Sequence, residues 1–312
     1  MSTAAESLLK PLDFCISGGI AMSLLQSILL GILQGATEFL PVSSSGHLAL
    51  LQNLFHMDAD VGVLFDAMLH LGTLIAVCIV FWKNFSNLVK AFVEMIRDLF
   101  TNISIFFTSR GQADKHYIDL VDTAYKKFVV LIIITSIPTA VIALIVYPVV
   151  KMAQSNLLIP GVCLVITAII LLISDSARPG KKKVRRTTYK DAAIVGVAQG
   201  IAVLPGISRS GSTITACLML GFDRTFAVKY SFLASLPAII GANLFELRHI
   251  GSDVITGAVV GNCFVGMIVA GIVGYISIKA MLYFVQSKKF SYFAYYCAII
   301  GIIAIIAYFI AG

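Results

Sequence analysis

Charge is scarce in this chain. Of its 312 residues only 12% are Asp, Glu, Lys or Arg, 59% are hydrophobic, and the mean hydropathy is +0.95. Such a balance excludes a soluble globular domain and predicts a polytopic membrane protein. Paired cysteines are also lacking. Cys15, Cys78, Cys163, Cys217, Cys263 and Cys297 stand singly in apolar stretches with no CxxC. They are expected to act as small buried hydrophobes, and neither a disulfide framework nor a metal cluster is expected of them. Residues 1–15 lack a basic region leading into a bounded apolar run and a small-residue cleavage site, so no cleavable signal peptide is expected. The net charge of +7 sits in loops. There it reads as topology and contact with anionic membrane lipids, not as nucleic-acid binding.

Apolar runs long enough to cross a bilayer lie near 61–82, 128–150, 157–174, 228–247, 254–278 and 292–312. Two further apolar regions, near 18–50 and 191–221, are broken at Pro41 and at Pro205-Gly206, and read as re-entrant hairpins of two half-helices each. Residues 84–107 mix Lys90, Glu94, Arg97 and Asp98 with apolar residues at helical spacing, which predicts a helix lying in the interface. The loop 83–127, the run Lys181-Lys-Lys-Val-Arg185-Arg186 and the segment Lys279–Lys289 fall on one face by this count, and the positive-inside rule makes it cytoplasmic. The resulting fold is all-α: six transmembrane helices plus two hairpins, in one integral membrane domain over 1–312 with 84–127 as interfacial helix and cytoplasmic loop. Its repeats run approximately 16–150 and 157–312. Three spans separate the hairpins, so the second copy is expected to be inverted, with the two tips meeting near the midplane. Gly257-xxx-Gly261 and Ala270-xxx-Gly274 are expected at close helix contacts.

The hairpins share a motif. The first runs Gly31-Ile-Leu-Gln34-Gly35-Ala-Thr-Glu38-Phe-Leu-Pro41-Val-Ser43-Ser44-Ser45-Gly46-His47; the second has Gly196, Gln199-Gly200, Leu-Pro205-Gly206 and Ser208-Arg209-Ser210-Gly211-Ser212-Thr213. Gln34 and Glu38, four apart, share one helix face. An ionisable residue at membrane depth is a functional hypothesis, and Arg209 is its expected partner. Ser43, Ser44, Ser45 and Gly46 can open a half-helix whose N–H groups and hydroxyls cradle an anion, and Ser208, Ser210 and Thr213 can do the same around Arg209. A guanidinium gives forked recognition of phosphate oxygens. His47 can serve as general base, general acid or metal ligand. Asp66 and His70, four apart in the first span, either pair with each other or support the site. Arg224 and Lys229 are explained by topology, and Asn243 and Glu246 by snorkelling at a span end.

These residues carry a resemblance. Gln34-x-x-x-Glu38 followed by Phe39-Leu-Pro41-Val-Ser43-Ser44-Ser45-Gly46-His47, then Phe65-Asp66-x-x-x-His70-Leu71-Gly72-Thr73, then Pro205-Gly206-Ile-Ser208-Arg209-Ser210-Gly-Ser-Thr213 is similar in order and content to the undecaprenyl-diphosphate phosphatases. These are the bacitracin-resistance lipid phosphatases of bacterial membranes. The resemblance covers nearly the whole chain. It implies removal of the terminal phosphate from a C55 prenyl diphosphate, which recycles the carrier for cell-wall synthesis. It also implies a place in the plasma membrane, and the site is expected to open to the outer face. It maps a nucleophile onto Ser44, with Glu38, His47 and Arg209 as catalytic partners, while Gln34 takes a position where the family has Glu or Gln. A divalent cation, Mg²⁺ or Ca²⁺, bridging the diphosphate and Glu38 is an alternative in which water attacks. No organic cofactor is expected, and a monomer or homodimer stays open. A lipid transporter is the rival reading, since inverted broken-helix repeats also build transporters.

Overall fold

In a computed structural model the protein is described over residues 23–54, 59–108, 117–154, 156–178, 180–246, 248, 257–287 and 289–311; Cys15 lies outside them. The helices there are α1 (Leu24–Phe39), α2 (Ser44–Leu54), α3 (Ala59–Val80), α4 (Trp82–Thr108), α5 (Ala124–Gln154), α6 (Leu158–Asp175), α7 (Tyr189–Ile201), α8 (Arg209–Met219), α9 (Arg224–Glu246), α10 (Gly257–Ser287) and α11 (Phe290–Ala311). Six are long and apolar enough to span a membrane: α3, α5, α6, α9, α10 and α11. They coincide with the six expected runs, and the chain is a multi-pass membrane protein. Facing side chains such as Ile79, Ile145, Ile276 and Ile310 are largely exposed, as a lipid-contacting surface requires.

The duplicated motif folds into two similar broken-helix pairs. Each opens with a capping box, Ser23 with Gln26 on α1 and Thr188 with Asp191 on α7. α1 gives way just before Pro41, while α7 ends at Ile201 and Pro205-Gly206 lie inside the longer turn to α8. Each second helix is capped alike: Ser43 Oγ accepts the Gly46 N–H at 3.3 Å, and Ser208 Oγ accepts the Gly211 N–H at 3.0 Å. The turns differ in how they are strained. Ser43 adopts φ +69°, a left-handed conformation uncommon for serine, whereas the second turn uses Gly206 at φ +97°.

The halves exchange partners. α1 packs on α10 and α7 packs on α5, so each leading half-helix leans on a long span from the other half, and α6 packs on α11. Small residues make this possible. A Cβ at Gly35 would lie 2.7 Å from the Ala270 carbonyl oxygen, and one at Gly196 would lie 2.2 Å from that of Thr135. Thr139 of α5 donates to the Gly196 carbonyl at 3.0 Å, a cross-helix bond of the kind that holds helices together in lipid. The expected packing role holds for Ala270 and Gly274 and fails for Gly257 and Gly261, where a Cβ would meet open space among the described residues. Both are exposed, so their spacing alone misleads.

α4 carries the expected amphipathic pattern in one continuous helix. Its polar face is pinned by Asp98, buried against Lys126 of α5 at 2.8 Å, while Phe100 and Phe107 on the opposite side stay exposed. The hydrogen bond from Lys126 outweighs burial and holds the Asp98 carboxyl below the ordinary carboxylate range.

Gly35→Ala and Gly196→Ala are each expected to destabilise the protein by about 1–3 kcal/mol through overpacking, while Gly261→Ala should change stability little. Chemical unfolding in mixed micelles checks this, and equal behaviour of all three would refute the close-contact assignment.

Candidate active site

Glu38 is the centre. It sits in the last turn of α1 with its side chain only 3% exposed. Burying a carboxylate there is costly unless each lone pair is met. Both oxygens are met. Arg209 Nη2, from the first turn of α8, donates to Oε1. Ser44 Oγ donates to Oε2 at 2.6 Å, and Gln34 Nε2 donates to the same oxygen at 3.0 Å. His70 Nε2 lies 3.8 Å from Oε2, and its Nδ1 donates to the Asp66 carbonyl at 2.7 Å. The ring is therefore oriented with Nε2 toward the carboxylate. Asp66 accepts from Gln52 at 2.7 Å. Of the two readings left open for Asp66 and His70, support of the site is the one the geometry favours.

Beside this network lies a cavity of about 530 Å³. Glu38, Ser43, Ser44, Ser45, Asp66, His70, Ser208 and Arg209 line it. The two broken-helix turns form part of its wall and touch: a Cβ on Gly46 would come within 3.0 Å of Gly206 Cα. The N-terminal ends of the second half-helices, α2 and α8, thus face one space with a guanidinium and several hydroxyls, a suitable cradle for a phosphate.

Other expected site residues are used differently. His47 does not line the cavity. Its Nδ1 donates to the Ser43 carbonyl at 2.8 Å, and its Nε2 lies 2.9 Å from the Tyr296 hydroxyl, with the two rings stacked. With both ring nitrogens engaged, His47 clips the strained turn to α11 and is not placed to take the Ser44 proton. Gly46, Ser210 and Thr213 also lie off the cavity wall. Ser210 donates to the Leu40 carbonyl at 3.3 Å, tying one turn to the other, and Thr213 shares a 2.5 Å bond with Ser231. Gln34 is fully buried behind Glu38. A divalent ion does not fit a preformed protein site here: donors already occupy both Glu38 oxygens, and no group of three His, Cys, Asp or Glu residues suited to a metal occurs among the described residues.

Several polar wall residues were not read from the sequence as part of the site. Asn243, read as a snorkelling residue, lines the cavity and donates to the Ala67 carbonyl at 3.1 Å. Gln199 and Thr139 line it too, bonded to each other at 3.2 Å, and so does Gln52. Gln199 carried a signal, since it is the motif counterpart of Gln34; Tyr296, which meets His47, carried none.

The profile of a protein family described as bacitracin resistance protein BacA matches residues 27–303. The chain belongs to that family. An undecaprenyl-diphosphatase of Methanosphaera stadtmanae is 40% identical over 91% of this chain and 98% of its own length. Those of Desulforapulum autotrophicum and Alkaliphilus metalliredigens are 40% and 38% identical, over 93% and 91% of this chain and 100% and 98% of theirs. The family match spans both broken-helix pairs but the first residues of α1, and all six long helices but the end of α11, so the Glu38–Arg209 site lies within the shared region.

Removing one member of a buried pair leaves the other charge uncompensated, which typically costs on the order of 3–5 kcal/mol. Arg209→Met should therefore destabilise the protein strongly, and Glu38→Gln added to it should recover much of the loss. Unfolding curves of the single and double variants decide this; a double variant no more stable than Arg209→Met would show that the pair does not couple the two turns.

Proposed function

We propose that this chain hydrolyses undecaprenyl diphosphate to undecaprenyl phosphate and inorganic phosphate. On this reading it recycles the lipid carrier for cell-wall synthesis and raises bacitracin resistance, acting in the plasma membrane with its site open to the outer face. One observation carries the reading: Ser44 and Arg209, from separate broken-helix turns, converge on Glu38 at the edge of a cavity among the long apolar helices. The relatives' activity, given by their names, supports the same substrate. The exchange of packing partners between the halves supports two inverted repeats with re-entrant hairpins.

The chemistry follows from competition for Arg209. An arriving terminal phosphate offers the guanidinium a better bidentate partner than one carboxylate oxygen. Glu38, released from Arg209, accepts the Ser44 proton along the existing 2.6 Å hydrogen bond. Ser44 Oγ then forms a bond to the terminal phosphorus while the bridging P–O bond breaks and the prenyl monophosphate departs. Glu38 hands the Ser44 proton to the oxygen of that departing monophosphate and is again a carboxylate. Water then attacks the phosphoserine, Glu38 takes its proton and returns it to Ser44 Oγ as the Oγ–P bond breaks, and inorganic phosphate leaves. Arg209 and the N–H groups opening α8 meet the charge that builds on the equatorial oxygens. His70, oriented by the Asp66 carbonyl, lies next to Glu38 to share its proton. In this scheme Glu38 replaces His47 as the base, and His47 is a positioning residue. No step is routed through a metal.

Purified protein in detergent, where no gradient exists, is expected to release phosphate from undecaprenyl diphosphate. Binding without release would overturn hydrolysis and favour a transporter. Arg209→Lys should lose on the order of a hundredfold or more in rate although its charge is kept, because an ammonium cannot reproduce the fork. Ser44→Ala should abolish turnover, and a phosphoserine should be trapped at Ser44 in the active protein. Substantial turnover in a folded Ser44→Ala would instead make water the nucleophile, activated by Glu38.

A further inference from the structure

The densest basic run of the chain has a fixed shape that topology alone does not require. Gly180 lies so close to Gly221 that a Cβ would meet its carbonyl carbon at 2.2 Å. The Lys182 N–H donates to the Gly221 carbonyl at 3.0 Å, and the Asp223 N–H donates to the Lys182 carbonyl at 2.9 Å. Lys182 then turns inward to Asp191 at 3.1 Å, and Val184, which opens a 3₁₀ turn over Val184–Arg186, packs against the hydrophobic core. From α5, Lys127 donates to the Arg185 carbonyl at 2.8 Å. Pinned on both sides, the segment sends Lys181, Lys183, Arg185 and Arg186 outward, all exposed, around a concavity of about 610 Å³. Ala124, Val184 and Asp223 complete its wall. Asp223 is the single carboxylate there, and its Oδ1 already accepts the Phe226 N–H at 3.1 Å. Four cations thus face one committed anion.

Depth identifies the ligand. Ala124 is the first residue of the span Ala124–Ala153, and Asp223 immediately precedes the span Arg224–Phe245. The concavity therefore sits where two spans leave the membrane, at the level of lipid headgroups, with the half-exposed ring of Tyr189 nearby in sequence. We propose that this concavity is a binding site for the headgroup of an anionic phospholipid, on the face the charge distribution assigns to the cytoplasm and separate from the Glu38 cavity. The phosphate of a phosphatidylglycerol suits it: forked guanidinium groups from Arg185 and Arg186 and ammonium groups from Lys181 and Lys183 surround a pocket open to the lipid.

The test is native mass spectrometry of the full chain in a neutral detergent, titrated with short-chain phosphatidylglycerol or phosphatidylcholine. Phosphatidylglycerol should bind with a defined stoichiometry and at least tenfold more tightly. K183Q/R185Q/R186Q should weaken it about tenfold, while K83Q/K90Q/K289Q, which removes the same charge at exposed positions elsewhere, should not. Unfolding curves establish that both variants fold; if the pocket triple does not, Lys183→Gln and Arg186→Gln taken singly should each weaken binding about threefold. Equal loss in the pocket and control variants would leave only diffuse charge and overturn the site. Indifference to lipid charge would overturn it too, and displacement of the lipid by millimolar inorganic phosphate would reassign the site to a free phosphate.

Discussion

A buried carboxylate needs a cation, and here the cation lies on the far half of the chain. Glu38 and Arg209 are drawn together because neither ion is stable alone at this depth, and each projects from the end of a broken helix. The rest of the structure is arranged to let those two ends meet. Glycine at 46 and 206 allows the turns to touch, and the Ser210–Leu40 bond fastens them. The clip on the first turn comes from the other half of the chain, and that on the second from its own half. Tyr296 of α11 holds the first turn through His47, and Thr167 of α6 holds the second by donating to the Gly206 carbonyl and accepting the Ser208 N–H, each at 2.9 Å.

The packing of each leading half-helix on a span from the other half has an energetic cause. In lipid, apolar burial between helices gains little, so helices associate through close packing and hydrogen bonds. Gly31 and Gly35 on α1 answer Gly266, Ala270 and Gly274 on α10, while Gly196 and Gly200 on α7 answer Thr135, Thr139 and Ile142 on α5. The two seams are near copies in design, but the α5 seam adds threonine hydroxyls bonded to the Ala192 and Gly196 carbonyls. Pro138 falls between them on α5, where a helix loses an N–H and neighbouring groups must compensate.

The spans were legible because twenty apolar residues in a row have few other uses, and the broken pairs because Pro41 and Pro205-Gly206 interrupt otherwise helical runs. The Glu38–Arg209 pairing was legible for the same electrostatic reason that makes it necessary. What sequence could not supply was direction. Ser44 and His47 are close along α2, yet a helix sends them to different neighbours, Ser44 to Glu38 and His47 to Ser43 and Tyr296. Asn243 near a span end reads as a solvated amide until a third helix is seen to place it on the cavity wall. Gly257-xxx-Gly261 shows the converse: a spacing suited to close packing has value only where a partner helix comes near.

The motif's two copies show both the likeness of the two turns and the chemistry that separates them. Aligning Gln34 with Gln199 and Gly46 with Gly211 sets Ser44 opposite Arg209 and Glu38 opposite Val203. The capping boxes, Ser23 with Gln26 and Thr188 with Asp191, fall into the same register. Two identical cradles facing one cavity would each offer hydroxyls and N–H groups to a phosphate, with no base between them. On the proposed mechanism, Glu38 at a position that is apolar in the second copy supplies the base. Placing Ser44 and Arg209 at the equivalent helix positions then lets the two related turns reach that one carboxylate from opposite sides. Symmetry builds the cradle, and its breaking at these positions supplies what the proposed mechanism uses as nucleophile, proton acceptor and a cation that a phosphate can draw away.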